Sequence, residues 1–493
     1  MLSKNTFFNF FLTSFIITIL VNNYLQDFLF TTICLLLFSV IYINLILYKK
    51  HFKKYIIVLL FIIIGGICGL LISNSHLSRI KENEVFLEKY YLRNYNYELE
   101  VKQLYKKSEN YNSYIVKIDR IDGINVDKKL YGIVYVSNNL LLEKGNILST
   151  DSQILNIDNV DSIDNYKNFL LSKNVYFKSY IFNFKVIKKI DNIFVSADKF
   201  RTKILNIINK IYPEEEGIFL SGILIGAREN IPKELSYDFN NSGTTHMVAV
   251  SGFNITILII FLGYLFKFIP VFLRTILIIT FLVLFCIFVG LEASVIRAGI
   301  MGILGYMLTI MGRNNNSLTI LLLTLFSMIL YNPFYINYDI SFQLSFLAVL
   351  GILYTKEFFD KVFKFLPNIL AVKESFIITL SAMVLTLPIS IFNFGQIPLL
   401  TPISNILISW NIPIIMLIGF ISIILYIFVP ILGIGVGFFS FILLKWNIFI
   451  IHFFGGLDDF VIKTDFGNYA FYLEILYFIV LVFLILNRKK VGN

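Results

Sequence analysis

Apolar residues follow two rhythms along this chain. Long apolar runs, close to the roughly 17–25 residues that cross a bilayer as a helix, fall near 7–21, 28–48 and 55–73. After an interruption they resume near 245–266, 271–290, 293–311, 317–331, 338–354, 374–392, 404–429, 430–453 and 469–487. The interruption, residues 79–203, has frequent charges and short alternating runs. Tyr97 to Val101, Tyr131 to Val136 and Tyr176 to Val186 have the period of two that marks strands. Asp122-Gly123 and Lys144-Gly145-Asn146 separate such runs and predict turns.

Charge orients this pattern. Lys49-Lys50-His51-Phe52-Lys53-Lys54 is the densest short basic cluster, and cytoplasmic loops collect Lys and Arg. Placing it inside puts the N-terminus inside and the segment after Ser73 outside. The same count then puts inside both the stretch with Lys356, Lys361, Lys364 and Lys373 and the closing Arg488-Lys489-Lys490, neither of which was used to set it. The expected fold is a polytopic α-helical membrane protein of about twelve spans with both termini cytoplasmic. A small extracytoplasmic β-barrel is inserted in it. The expected domains are N-terminal transmembrane helices (1–78), an outer β domain (79–203) and a transmembrane domain (204–493).

Composition agrees. Hydrophobic residues make up 57% of the 493 and charged residues only 15%, too greasy for one water-soluble core. The net charge of +10 lies largely in short loops, where it sets orientation. The three cysteines, Cys34, Cys68 and Cys286, fall in apolar runs and form neither a disulfide framework nor a zinc pattern. The first apolar run lacks a small-residue cleavage site, so no cleaved signal peptide is expected.

Polar residues inside spans are costly and need a reason. At Asn240 to Asn254, small and hydroxylated residues enter the membrane with His246 and Asn254; on a helix Met247, Ser251 and Asn254 would share a face. This stripe suits either close helix packing through Gly and Ser or an aqueous path. Ser251 and His246 would stand about 140° apart on that helix, so they make no catalytic dyad, and nothing around His452 marks it as a partner. Arg297 lies about a turn inside its span and either pairs with another helix or offers its charge to a polyanion. Asp339 and Gln343 would share a face and suit interhelical hydrogen bonding. Leu387 to Pro398, followed by Pro402, Asn405 and Pro413, predicts a broken or re-entrant segment that contains Gln396.

These segments, in this order, resemble the ComEC family of DNA-uptake channels from naturally competent bacteria. Gly243 to Gly252, with His246 followed by Ala249-Val250-Ser251-Gly252, is similar to the signature at the start of that family's competence domain, and Ser221 to Gly226 to the helix before it. Ala293-Ser294-Val295-Ile296-Arg297-Ala298 resembles its Pro-Ser-Val-Leu-Arg-Ala pattern. Phe342-Gln343-Leu344-Ser345-Phe346 and Phe394-Gly395-Gln396, leading to Ser404-Asn405, resemble the last two. The family's OB-like domain matches residues 79–203. Asn254 stands where the family often has a second His, and Ala293 where Pro is usual.

The resemblance implies inward translocation of single-stranded DNA, with no catalytic residue, metal or cofactor in this chain. Implied partners are single-stranded DNA, membrane lipids and a separate DNA receptor, nuclease and cytoplasmic motor or helicase; oligomeric state is not implied. His246, Ser251, Asn254, Arg297, Gln343, Gln396 and Asn405 are the expected path-lining residues. Tyr176, Lys178, Tyr180 and Lys185 are the candidate DNA contacts of the outer domain, whose 21 Lys/Arg exceed 16 Asp/Glu only mildly. Many relatives end in a metallo-β-lactamase-like domain; with four histidines and no clustered ligand motif, no nuclease activity is expected here. The rival readings are a small-molecule or lipid-linked exporter and an inert membrane scaffold. No Gly-Lys-Ser/Thr phosphate loop is present to make the chain its own motor.

Overall fold

A computed structural model describes residues 4–25, 52–107, 110–138, 142–157, 164–228, 231–248, 250–312, 317–365 and 372–463. The expected spans 28–48 and 469–487 lie outside these residues. The chain divides into two compact units, Met1–Asp198 with Thr319–Asp339, and Lys199–Leu318 with Ile340–Asn493.

In the first unit, helices α1 (Lys4–Leu25) and α2 (Phe52–Glu88) pack side by side. Small residues four apart allow it: a Cβ on Gly65 would stand 2.4 Å from the Phe11 carbonyl oxygen, and one on Gly69 2.8 Å from that of Phe15. Helix α2 runs past the expected domain edge at 79, and the first strand starts at Asn94. Strands β1 (Asn94–Lys107), β2 (Tyr111–Ile121), β4 (Tyr131–Ser137), β5 (Asn146–Asn156) and β6 (Val175–Ile181) close in the order β1-β2-β4-β6-β5-β1. Every pairing is antiparallel except the parallel β4–β6. This is the expected OB-like barrel. The short β3 (Ile124–Asn125) pairs with β2 and β7 (Lys185–Lys189) with β5; helix α3 (Asp164–Ser172) precedes β6. The turn residues are as read: Asp122 and Gly123 both have positive φ (47° and 79°), as does Gly145 (87°). Strand-like pattern from 176 to 186 resolves into two strands, because Phe182 to Phe184 leave the ladder. Alternation along β5, and along β6 from Phe177 on, buries one face of each, and Leu148, Ile154 and Phe177 meet in the core, joined by Tyr176 where the β4–β6 pairing is irregular.

Helix α10 (Ser317–Tyr331) and the short α11 (Tyr335–Tyr338) complete this unit. A polar network ties them to the helix pair: Asn23 Nδ2 donates to the Pro333 carbonyl at 2.8 Å, and Ser73 Oγ to Asn23 Oδ1 at 2.5 Å. Phe334 enters the barrel core beside His76, ring centroids 5.1 Å apart.

The second unit is helical: α4 (Ile193–Ile211), which begins at the unit boundary, then α5 (Glu214–Ile225), α6 (Lys233–Asn241), α7 (Gly252–Leu265), α8 (Val271–Val289), α9 (Ala293–Ile310), α12 (Ile340–Val362), α13 (Val372–Phe394), α14 (Thr401–Ser409), α15 (Ile412–Phe428) and α16 (Pro430–Gly455). Among the described residues of both units, six helices are long and apolar enough to cross a membrane, and a seventh span arises if α14 and α15, bent by 44°, count as one. The broken segment expected near 387–413 is therefore real, but its breaks lie after Phe394 and at Trp410. Pro388 is accommodated inside α13. Two short strands, β8 (Gln396–Pro398) and β9 (Val461–Lys463), pair across the break.

Candidate functional site: a junction of polar segments among apolar helices

The expected continuous helix over 245–266 does not form. Thr245 to Val248 make a 3₁₀ turn, and Ser251 is extended (φ −114°, ψ 173°) as the N-cap of α7. Met247, Ser251 and Asn254 therefore share no helical face, which corrects the stripe. Gly243 has φ +71°, a conformation L side chains rarely adopt, and turns the chain after α6. His246 lies on the accessible side of the 3₁₀ turn and Ser251 is half-buried.

What replaces the stripe is a knot of backbone contacts. Ser404 Oγ, at 0% exposure, donates to the Ser242 carbonyl at 2.7 Å. Gly243 lies so close to Thr401 that a Cβ would be 1.9 Å from Oγ1. Asn254 Nδ2 donates to the Ile223 carbonyl at 3.0 Å, and Gly222 lies beneath Val248. Three separate sequence segments (221–226, 242–254 and 401–405) thus meet at one place. Asn405 is buried there, its Oδ1 without a partner among the described residues. Gln396 is half-buried in β8, opposite Lys463.

Arg297 forms a second contact. Its Nη1 donates to the Ser345 carbonyl of α12 at 2.7 Å, and its guanidinium carbon lies 5.8 Å from the centre of the Phe346 ring. The residue is only 8% exposed, and its Nε has no partner among the described residues. No carboxylate pairs with it among the described residues; Glu292 instead lies 3.8 Å from Arg228. Among the described residues a carbonyl and an aromatic face hold the guanidinium, and neither carries a formal charge to offset its own. Gln343 is half-buried on the same helix as Ser345, and Asp339 precedes that helix rather than sharing its face. Helix α9 is tied to the first group too, since Gly302 packs on Ile255 and Ile259 of α7.

These segments coincide with a family assignment. Residues 223–490, more than half of the chain, match the family described as Competence protein. The chain belongs to the Competence protein family. A similar protein, ComE operon protein 3 of Bacillus subtilis (strain 168), is 22% identical over 244 residues, covering 49% of this chain but 30% of that relative. The chain thus spans well under two thirds of its curated relative. No solved structure matches it.

In this Competence protein the barrel's candidate contacts separate. Tyr176 is 1% exposed, buried in the same apolar cluster as Phe177 at an irregularity of the β4–β6 pairing, and is a packing residue, which corrects its reading as a DNA contact. Tyr180 is 49% exposed and stacks on Tyr135 at 4.9 Å and 19°, while Tyr111 meets Tyr135 edge-on at 5.3 Å. Residues 135 and 180 are direct partners in the parallel pair. Phe182, 86% exposed, lines a groove with Tyr180, Asn94, Gln153 and Asn183. Lys185 is exposed on β7, and Lys178 is half-exposed on β6. Sequence reading missed Tyr111 and Tyr135, although alternation along β2 and β4 could have put both on the outer face.

Sequence reading also missed two interhelical polar ties. Asn411 and Asn447 exchange amide hydrogen bonds at 2.8 and 3.0 Å, and Tyr212 Oη contacts Ser440 Oγ at 2.7 Å. In apolar runs, single Asn and Ser residues gave no signal of which helices they would join.

Proposed function

We propose that this chain is a channel of the cytoplasmic membrane that passes single-stranded DNA inward during natural competence. The observation that carries the reading is Arg297: a buried guanidinium in a long apolar helix, held among the described residues by neutral groups alone. A phosphate oxygen is a stronger partner for it than a carbonyl or a ring face, because both members of that pair are charged. As a strand arrives, its phosphate displaces the Ser345 carbonyl, which frees α9 from α12. Gln343 on α12, Asn254 on α7 and Asn405 on α14 offer neutral polar edges, where a moving polyanion needs contacts that do not hold it. His246, Ser251 and Gln396 stand at the helix ends that lead to them.

The barrel suits the role of receiving the strand. Exposed Tyr180 and Phe182 are base-stacking surfaces and Lys185 supplies charge, the combination that binds single strands without reading sequence. The positive-inside count puts the barrel outside and the Lys356–Lys373 loop in the cytoplasm. Motor, nuclease and DNA receptor belong to other chains in this reading, and transport rather than bond chemistry is the task of this one.

Uptake of end-labelled DNA tests it. A deletion strain is expected to bind DNA at its surface and bring no strand inside, with complementation restoring entry. In that strain Arg297→Gln should lower entry at least about tenfold, the loss of one charge-assisted contact, while the protein still reaches the membrane. Arg297→Lys should recover part, since it keeps the charge without the planar fork. Normal entry in the deletion strain would point to an exporter and end the proposal.

A further inference from the structure

One cluster of titratable groups is not used by that reading. His452, in the last turn of α16, has Nδ1 2.5 Å from Asp238 Oδ2 on α6 and Nε2 3.1 Å from Glu215 Oε2 in the first turn of α5. An ionised carboxylate only accepts hydrogen bonds. Two such contacts on one ring need two N–H donors, and only the imidazolium has both. A neutral ring would keep one bond and turn a lone pair toward the other carboxylate.

The surroundings make this a joint with a fixed part and a switchable part. Asn241 Nδ2 donates to the Gly455 carbonyl at 3.1 Å and to Asp458 Oδ1 at 2.9 Å, and Tyr237 Oη donates to the same Asp458 oxygen at 2.8 Å. Gly455 packs directly on Asp238, where a Cβ would meet its Cα at 2.6 Å. None of these contacts depends on the ring's charge, so they keep α6 on α16 when the ring changes state. Other ionisable groups on the elements packed here are Glu214 and Glu216 on α5, Lys233 and Glu234 on α6, Asp458 and Asp459 in the turn after α16, and Lys445 further back on α16. Carboxylates outnumber cations in this set, and His452 is the cation placed between two of them. Helix α6 then runs directly into Ser242 and Gly243, the residues that Ser404 and Thr401 hold.

We propose that Glu215, Asp238 and His452 form a proton-operated clamp across α5, α6 and α16, tight while the ring carries both protons and slack when it loses one, so that ambient pH sets how firmly the Ser242–Gly243 junction is held. The clamp is independent of what the protein transports.

Thermal unfolding of the full chain in lipid nanodiscs, followed by the fluorescence of Trp410 and Trp446 between pH 5.5 and 8.5, tests this directly. The wild-type midpoint is expected to step down as pH rises across this window. His452→Gln removes the titrating ring and should give a flat, low profile across the window. Glu215→Gln and Asp238→Asn each replace a carboxylate by a neutral amide, which still accepts a hydrogen bond but no longer favours the charged ring, and should also flatten the step. Glu215→Gln is the mildest of the three, because Glu215 is 45% exposed and makes the longer contact. A step that persists undiminished in His452→Gln, or in both carboxamide variants, overturns the clamp.

Discussion

The barrel and the helical unit keep their polar groups in opposite places. In the barrel, each strand's period of two sends apolar residues inward, and the aromatic and basic side chains able to meet a ligand, Tyr180 and Lys185 among them, point out. In the helical unit the outward faces are apolar, with Phe268, Phe272 and Ile431 among the most exposed residues, while Asn411, Asn447, Ser404 and Arg297 are enclosed. Solvent explains the inversion. Water rewards an outward polar group, whereas lipid forces polar groups to find partners within the protein. An exposed aromatic is therefore informative on the barrel and bland on the helices, and a buried amide is the reverse.

The largest expected effect comes from closing a tight approach in each region. Gly243→Val adds side-chain atoms against Thr401 and also forces a β-branched residue to φ +71°. Strain of about 1–2 kcal/mol and overpacking of about 1–3 kcal/mol should together leave little folded protein. Gly132→Val in the barrel meets the Phe177 ring at 2.3 Å, but its backbone conformation is an ordinary one. It should therefore cost only the overpacking share. Detergent-solubilised protein recovered as a single size-exclusion peak measures both, and equal yields would mean that the Gly243 turn carries no special constraint.

Next comes the Asn411–Asn447 pair. Replacing either residue alone by Leu strands a buried amide, at about 1–3 kcal/mol. Replacing both removes every unsatisfied atom at once, so the double variant should be more stable than either single one. A thermal-melt double-mutant cycle reads the difference. If the two single costs simply add, the amides are not partners in the membrane.

Legibility followed the same divide. The barrel's strands and turns could be read from the sequence because period two and positive-φ residues such as Gly145 are local signals. Its surface was read less well. Tyr176 and Tyr180 look alike in a list of aromatics, and only register puts the first in the core and the second on Tyr135. In the helical unit, the positions of the apolar helices were legible from hydropathy, though not which of them are long enough to span, and the order of the polar segments pointed to a common family. Their geometry was not legible. The assumption of a continuous helix from 245 failed at Val250 and Ser251, where the chain turns extended before α7. The partner of Arg297 is a backbone carbonyl of α12, and every residue offers a carbonyl, so no side-chain pattern could have named it. The His452 clamp was invisible for a related reason: His452 lies 214 residues from Asp238 and 237 from Glu215 in the chain, each unremarked in its own segment.

The smallest effect separates the barrel's surface from its core by titration. Burial, reinforced by neighbouring Tyr166, Tyr180 and Tyr111, pushes the Tyr135 phenol up to about 12. Burial and its contact with Tyr166 also raise Tyr105. A phenol raised in the folded state contributes stability that is complete below its unfolded value near 10 and is lost as pH climbs through the folded value. Barrel stability should accordingly be flat to about pH 10 and decline toward pH 12. Tyr180→Phe keeps the ring stacked on Tyr135 but removes one of the neighbours that raise it, so Tyr135 should ionise slightly earlier. Tyrosinate absorbance during an alkaline titration reads that small shift. If the two titrations superimpose, the stack seen between residues 135 and 180 does not persist in solution, and the outer aromatic face would be a set of independent rings rather than a ready platform for bases.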